Sequence, residues 1–172
     1  MQADFSKGTI TDLADINPPV SVDGLSPDSS VSFIPMADVS DKGQWTNRQT
    51  RKLCEVRSGY TAFKEGDVLL AKITPCMENG KGCHAVGLEN SVGFGSTEFH
   101  VLRAKSDVDA RFVFHWSQSE MLRRQAEAKM IGSAGQQRVP VTLTNSAALP
   151  KCLMPLTRRF SAPTRSSTSS SG

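Results

Sequence analysis

Most of the side chains able to act together chemically lie in one stretch of this 172-residue chain. Leu69-Leu70-Ala71-Lys72-Ile73-Thr74-Pro75-Cys76-Met77-Glu78-Asn79-Gly80-Lys81-Gly82 passes from an apolar run into amines, a hydroxyl and a carboxylate. It reads as a buried strand delivering a polar loop to the surface, with Thr-Pro and Asn-Gly as the turn signals. Point charges, a hydroxyl and free loop amides suit an anion such as phosphate. The same residues admit a second chemistry. A two-metal nuclease needs carboxylates converging with a Lys, and Glu78 and Glu98 with Lys72 can be assembled into such a set.

Other enzyme readings fail on single positions. Asn17-Pro18-Pro19 is followed by Val20, whereas an amino-group methyltransferase needs an aromatic there to stack on a flipped base. No glycine-rich cofactor fingerprint precedes it, so no cofactor is expected. Pro75-Cys76-Met77-Glu78 has Glu78 where a zinc deaminase has its second Cys, and His84, His100 and His115 all follow it rather than precede it. Cys54, Cys76, Cys83 and Cys152 lack the close spacing of a zinc site, so no metal is expected. They read as reduced, mostly buried small hydrophobes.

The periodicity supplies the elements that must hold the loop. Thr9 to Ile16 is a short segment stopped by Asn17-Pro18-Pro19, with Asn17 pushed to an extended conformation. Val31 to Met36, Val68 to Ile73, Cys83 to Leu88 and Glu98 to Arg103 read as strands, with a glycine bend at Gly93 and Gly95 where a sheet can bulge or another backbone come close. Asp41 to Arg57 has no periodicity and reads as a long loop with at most a helical turn, a length that favours a functional role. From Asp109 to Met130 the period becomes helical, placing Phe112, Val113, Trp116, Met121, Leu122 and Ala126 on one stripe, and Gly132 stops the helix. Pro140 to Leu149 reads as a short helix and Cys152 to Leu156 as a last strand. The predicted fold is α+β: a single domain over 1–156 with a curved mixed β-sheet, few helices and the main helix near 109–130. Residues 157–172 are Ser-rich, with too little apolar surface to order themselves.

Charge neither demands nor excludes DNA. The formal net charge is +3, but Lys151, Arg158, Arg159 and Arg165 account for it, leaving 16 bases against 17 acids elsewhere. Arg48, Arg51, Lys52 and Arg57 form the best basic cluster; charge alone is equally consistent with a solvated face. With no export signal and no apolar run of about 20 residues, no membrane segment and a cytoplasmic location are expected.

Read in order, several phrases resemble one family. They are Leu13-Ala14-Asp15-Ile16-Asn17-Pro18, Val31-Ser32-Phe33-Ile34-Pro35-Met36, Gly59-Tyr60-Thr61 with Phe63 through Leu69, Lys72 through Lys81, Gly93-Phe94-Gly95-Ser96-Thr97-Glu98-Phe99, and Gly132-Ser133-Ala134-Gly135-Gln136-Gln137-Arg138-Val139. Together they resemble the target recognition domain of the specificity subunit of type I restriction–modification systems. The resemblance implies a non-catalytic domain that binds double-stranded DNA and reads one half of a bipartite target. Partner methyltransferase and restriction subunits would carry the catalysis. A small site-specific endonuclease and an interaction domain that has lost DNA binding are the alternatives.

Members of such a family read different targets, so shared phrases must build the fold or touch the phosphate backbone common to all DNA. That reasoning makes Lys72, Thr74, Asn79, Lys81 and Arg138 the candidate backbone contacts. The competing reading pairs Glu78 with Lys81 and leaves Asn79-Gly80 as a plain turn. Thr97 and Glu98 are expected to satisfy strand polar groups. Base readout should lie outside the shared phrases, in Gln44, Asn47, Arg48, Gln49 and Arg51, whose amides suit adenine and whose guanidinium forks suit guanine. Trp45 is a wedge, an anchor or core packing. After Pro155-Leu156 the chain has Thr157-Arg158-Arg159-Phe160, where the family continues into a long helix that docks its partners. A monomer is the expectation for the chain alone.

Overall fold

The computed structural model describes residues 8–133, 136–142 and 148–149. Two four-stranded sheets carry the domain. The strands are β1 (Gly8–Thr9), β2 (Ala14–Ile16), β3 (Ser30–Ile34), β4 (Gln49–Lys52), β5 (Thr61–Lys64), β6 (Val68–Ala71), β7 (Gly82–His84), β8 (Val92–Gly95), β9 (Phe99–Ala104) and β10 (Ala148–Leu149). The helices are α1 (Leu53–Val56), α2 (Ala110–Ser117) and α3 (Glu120–Glu127). One sheet has the order β2-β9-β6-β7 and is antiparallel throughout. The other, β4-β3-β8-β5, is mixed, with β3 and β8 parallel. β1 pairs with β10. The α+β class is as predicted; the strands are shared between two sheets.

Strand alternation explains the layering. Along β6, Val68 and Leu70 point to a core with Leu13, Leu102, Val113, Trp116 and Leu122, under α2 and α3. Leu69 points the other way, to Ile34, Phe63, Cys83, Phe99 and Val101, between the sheets. A strand covered on both faces reads as a continuous apolar run, which is why Val68 through Ala71 show no polar alternation. The far face of the mixed sheet packs Val31, Phe33, Val92 and Phe94 against Leu53 and Val56 of α1.

Several local expectations are corrected. The helix predicted near 109–130 is two, because Ser119 takes an extended ψ of 144° and accepts the Leu122 N–H to start α3. α3 ends at Glu127 rather than at Gly132, and Met121 is exposed. Gly93-Phe94-Gly95 is not a bend but part of β8; the expected close approach of another backbone is found at Gly95, where a Cβ would strike the Ile34 carbonyl, while one at Gly93 would strike the Phe63 ring. Asp41 to Arg57 contains β4 and α1. Asn17 is left-handed, φ 49°, not extended. There its N–H donates to the Val101 carbonyl at 2.7 Å and its Oδ1 accepts the Val101 N–H at 2.9 Å. Of the helix expected over Pro140 to Leu149, Val141 and Thr142 are helical, residues 143–147 lie outside the described residues, and Ala148–Leu149 form β10. The last strand and the Ser-rich end also lie outside them. Of the described cysteines only Cys83 is buried, with its thiol pushed up to about 12 by burial; Cys54 is exposed.

Candidate nucleic-acid interface

The loop after β6 is closed by its own backbone. Met77 N–H donates to Ile73, Asn79 to Pro75, Gly80 to Met77 and Lys81 to Cys76, at 2.9 to 3.0 Å. Gly80 makes the return at φ 69°, with the Arg123 guanidinium packed where a Cβ would stand. The amides of Asn79, Gly80 and Lys81 are therefore engaged, and the loop is not the open amide cradle that the sequence suggested. Thr74 is also withdrawn. It is buried, and its hydroxyl accepts the Gln137 N–H at 3.1 Å while its own N–H donates to the Gln137 carbonyl at 2.9 Å. Thr74 fastens the 136–139 segment to the sheet.

The charged candidates divide into two places. Lys72 is half-buried and lines an open cleft of about 300 Å³ with Asn17, Pro18, Thr61 and Phe99. Beside it, Arg138 grips Glu98: Nε lies 3.1 and 3.0 Å from the two carboxylate oxygens and Nη2 lies 2.8 Å from Oε1. The Arg138 hydrogen bonds, with its charge and that of Lys72, hold the Glu98 carboxyl below its ordinary range. Both Glu98 oxygens thus face a cation. Among the described residues, no group of three His, Cys, Asp or Glu side chains is placed to hold a metal ion. Lys81 turns the other way. Its Nζ comes within 3.5 Å of the Met36 carbonyl, and the local Glu78–Lys81 ion pair does not form among the described residues. Asn79 is exposed.

Lys81 leads to the second place, the segment from Met36 to Arg51. A 3-10 turn over Met36–Asp38 sets Asp38 beside the long loop. Its backbone carbonyl accepts the Thr46 N–H at 2.8 Å, and its Oδ2 accepts Asn47 Nδ2 at 3.3 Å and Gln49 Nε2 at 2.5 Å. Arg48 lies over the Trp45 ring, 4.3 Å from its centroid, and donates to the carbonyls of Val86 and Gly87 at 3.0 and 3.1 Å. Trp45 is half-buried against the core between the sheets and donates its Nε1–H to the Asn47 carbonyl at 2.8 Å. It packs, as the third of its readings had it. Arg51 sits on the edge strand β4, 5.6 Å from the Phe33 ring centroid, with Nη2 3.4 Å from Gln49 Oε1. Gln44 is exposed and tied in through its backbone. Four of the five readout candidates are held through their side chains: Asn47 and Gln49 by Asp38, Arg48 by Trp45 and the Val86 and Gly87 carbonyls, and Arg51 by Gln49 and Phe33. Asp38, which holds Asn47 and Gln49, was missed; its signal was an acid in a Pro-led turn just ahead of an amide-rich stretch.

Over 134 residues, 77% of the chain, the sequence is 40% identical to the type I restriction enzyme EcoAI specificity subunit of Escherichia coli. Over 144 residues, 83% of the chain, it is 38% identical to the Escherichia coli EcoEI specificity subunit. The chain is homologous to a segment of type I specificity subunits. It spans 22% and 24% of the length of these two relatives. Among solved structures, the HsdS subunit from Thermoanaerobacter tengcongensis superposes with TM-score 0.57 at 20% identity, over 72% of this chain and 32% of that one. A chain from a structure on complex assembly and conformational transition of the type I R-M system gives TM-score 0.59 at 18% identity, over 86% and 35%. These two show a shared fold. No protein-family model matches the chain. The homology supports a domain of the target-recognition type, and the phrases that carry the resemblance do structural work here: Leu13, Val31, Ile34, Phe63, Val68, Leu69 and Phe94 are all core. Among the described residues, no helix is long and apolar enough to cross a membrane.

Proposed function

We propose that this chain is a non-catalytic, sequence-specific DNA-binding domain, reading one half of a bipartite target for a cytoplasmic type I restriction–modification assembly. Methyltransferase and restriction subunits are the partners it would direct. The observation that carries this reading is the identity of 38 to 40% with two specificity subunits over more than three quarters of the chain. The site is consistent with it. The amides and guanidinium groups of Asn47, Arg48, Gln49 and Arg51 offer base-edge chemistry, and Lys72 and Lys81 offer phosphate contacts that carry no sequence information.

Selection of binding sites from random duplex DNA at fixed, stated salt tests the reading. A recurrent short motif supports it. Equal recovery of all sequences, or no retained duplex at low salt, refutes sequence-specific recognition. Magnesium-dependent cleavage abolished by Glu98→Ala would instead establish a nuclease.

A further inference from the structure

Asp38 determines which way two amides face. A carboxylate only accepts hydrogen bonds, so Asn47 and Gln49 must both turn their NH2 groups toward Asp38 Oδ2, at 3.3 and 2.5 Å, and their carbonyl oxygens away. The two amides then differ. Gln49 is half-buried and its Oε1 has Arg51 Nη2 at 3.4 Å. Asn47 is exposed, and its Oδ1 has no hydrogen-bond partner among the described residues. Its backbone is fixed from both sides, by Trp45 Nε1 on its own carbonyl and by Thr46 on the Asp38 carbonyl, with the Thr46 N–H at 2.8 Å and its hydroxyl at 3.0 Å. The side chain is thus held in one orientation with its recognition edge toward solvent.

We infer that Asn47 reads an adenine in the major groove and that Asp38 is the positioning residue that sets it. This rests on the DNA-recognition reading above. With one N–H held by Asp38, Asn47 offers outward a carbonyl acceptor and one remaining N–H donor. Adenine alone presents an N6 donor beside an N7 acceptor. Cytosine offers only a donor, guanine only acceptors, and thymine an acceptor and a methyl group. A flipped Asn47 amide, donating where it should accept, would lose that match, and Asp38 prevents the flip.

The test uses the 172-residue chain, its selected duplex, and copies of that duplex changed one base pair at a time. The expected result is one adenine whose replacement weakens binding at least about fivefold for the unsubstituted chain. Asn47→Ala should erase that discrimination while leaving every other position as it was. Asp38→Ala should erase the same discrimination with the salt dependence unchanged, and the double variant should lose no more than either single one. Uniform weakening across all duplexes in Asp38→Ala would make Asp38 a loop tether and overturn the assignment. So would an Asn47→Ala variant, at an exposed position, that keeps every preference. Absence of binding to any duplex by the unsubstituted chain fails the DNA reading itself, whereas sequence-specific binding without this adenine fails only the present inference.

Discussion

The Arg138 guanidinium closes on the Glu98 carboxylate with three contacts between 2.8 and 3.1 Å. A fork of this kind fits carboxylate and phosphate alike, so Glu98 occupies the position a DNA phosphate would take on Arg138. The pair lies at a partly solvated surface, with Arg138 48% and Glu98 24% exposed, where such a pair adds little stability. Its larger consequence is electrostatic. Arg138, a sequence-derived candidate for backbone contact, is neutralised by an internal partner beside Lys72.

Freeing Arg138 should therefore raise general affinity. Glu98→Gln is expected to bind unrelated duplexes more tightly and to steepen the dependence of log affinity on log salt by about one. Arg138→Ala in the native background should change that slope little. Anisotropy titrations over a salt series measure both, and an unchanged slope in Glu98→Gln would refute the masking.

Among the described residues neither Lys72 nor Lys81 forms an ion pair, although the Lys72 charge acts on Glu98 from a distance. Lys72→Ala and Lys81→Ala are each expected to weaken binding to all duplexes alike and to flatten the salt slope by about one. A loss confined to single base positions would move that lysine from positioning to reading.

How far these roles were legible in the sequence depended on how local their causes are. β6 was plain because four successive apolar residues, buried on both faces, cannot be a loop. β5 was overlooked because Thr61-Ala62-Phe63-Lys64 buries only Phe63 fully, and its partner is Val92 to Gly95, a pairing no short window reveals. The glycines of β8 read as a bend, since the Phe63 ring that requires Gly93 comes from that same distant strand. At the site, residue types were readable and their partners were not. Thr74 looked available until Gln137 arrived from 63 positions away, and Arg138 looked free until Glu98 met it across 40.

The same long-range logic places a charged pair inside the domain. Asp67 is 1% exposed and receives Arg103 Nε and Nη2, each at 2.8 Å, together with the Lys64 N–H at 2.7 Å. These contacts push the Arg103 guanidinium further above its ordinary range. Removing Arg103 leaves a carboxylate in the interior with only a backbone donor. Arg103→Ala should lower unfolding stability by about 3 kcal/mol, read as a shift of the urea midpoint. A shift equivalent to well under about 1 kcal/mol would mean that water replaces the guanidinium.

His100 links acidity to the seam between Asn17 and Val139. It is buried, its Nε2 lies 2.9 Å from the Val139 carbonyl, and its Nδ1 lies 3.3 Å from Asn17 Nδ2. The Asn17 amide cannot turn over, because its Oδ1 accepts the Val101 N–H at 2.9 Å. Nδ1 must therefore accept and Nε2 donate, which is the neutral ring. Burial, the largest cause, lowers the His100 pKa, and Lys72 adds to it, outweighing the opposing pull of the Val139 carbonyl and Glu98. A base whose folded pKa is depressed binds fewer protons folded than unfolded, so its contribution is complete above the unfolded value. It is lost as pH falls below about 6.5 and through the folded pKa. Stability measured by urea unfolding should consequently decline from about pH 6.5 downward, ahead of the carboxylate range, and His100→Gln should remove that part of the decline. A variant with the same slope between about pH 6.5 and 5 would show that another group titrates there.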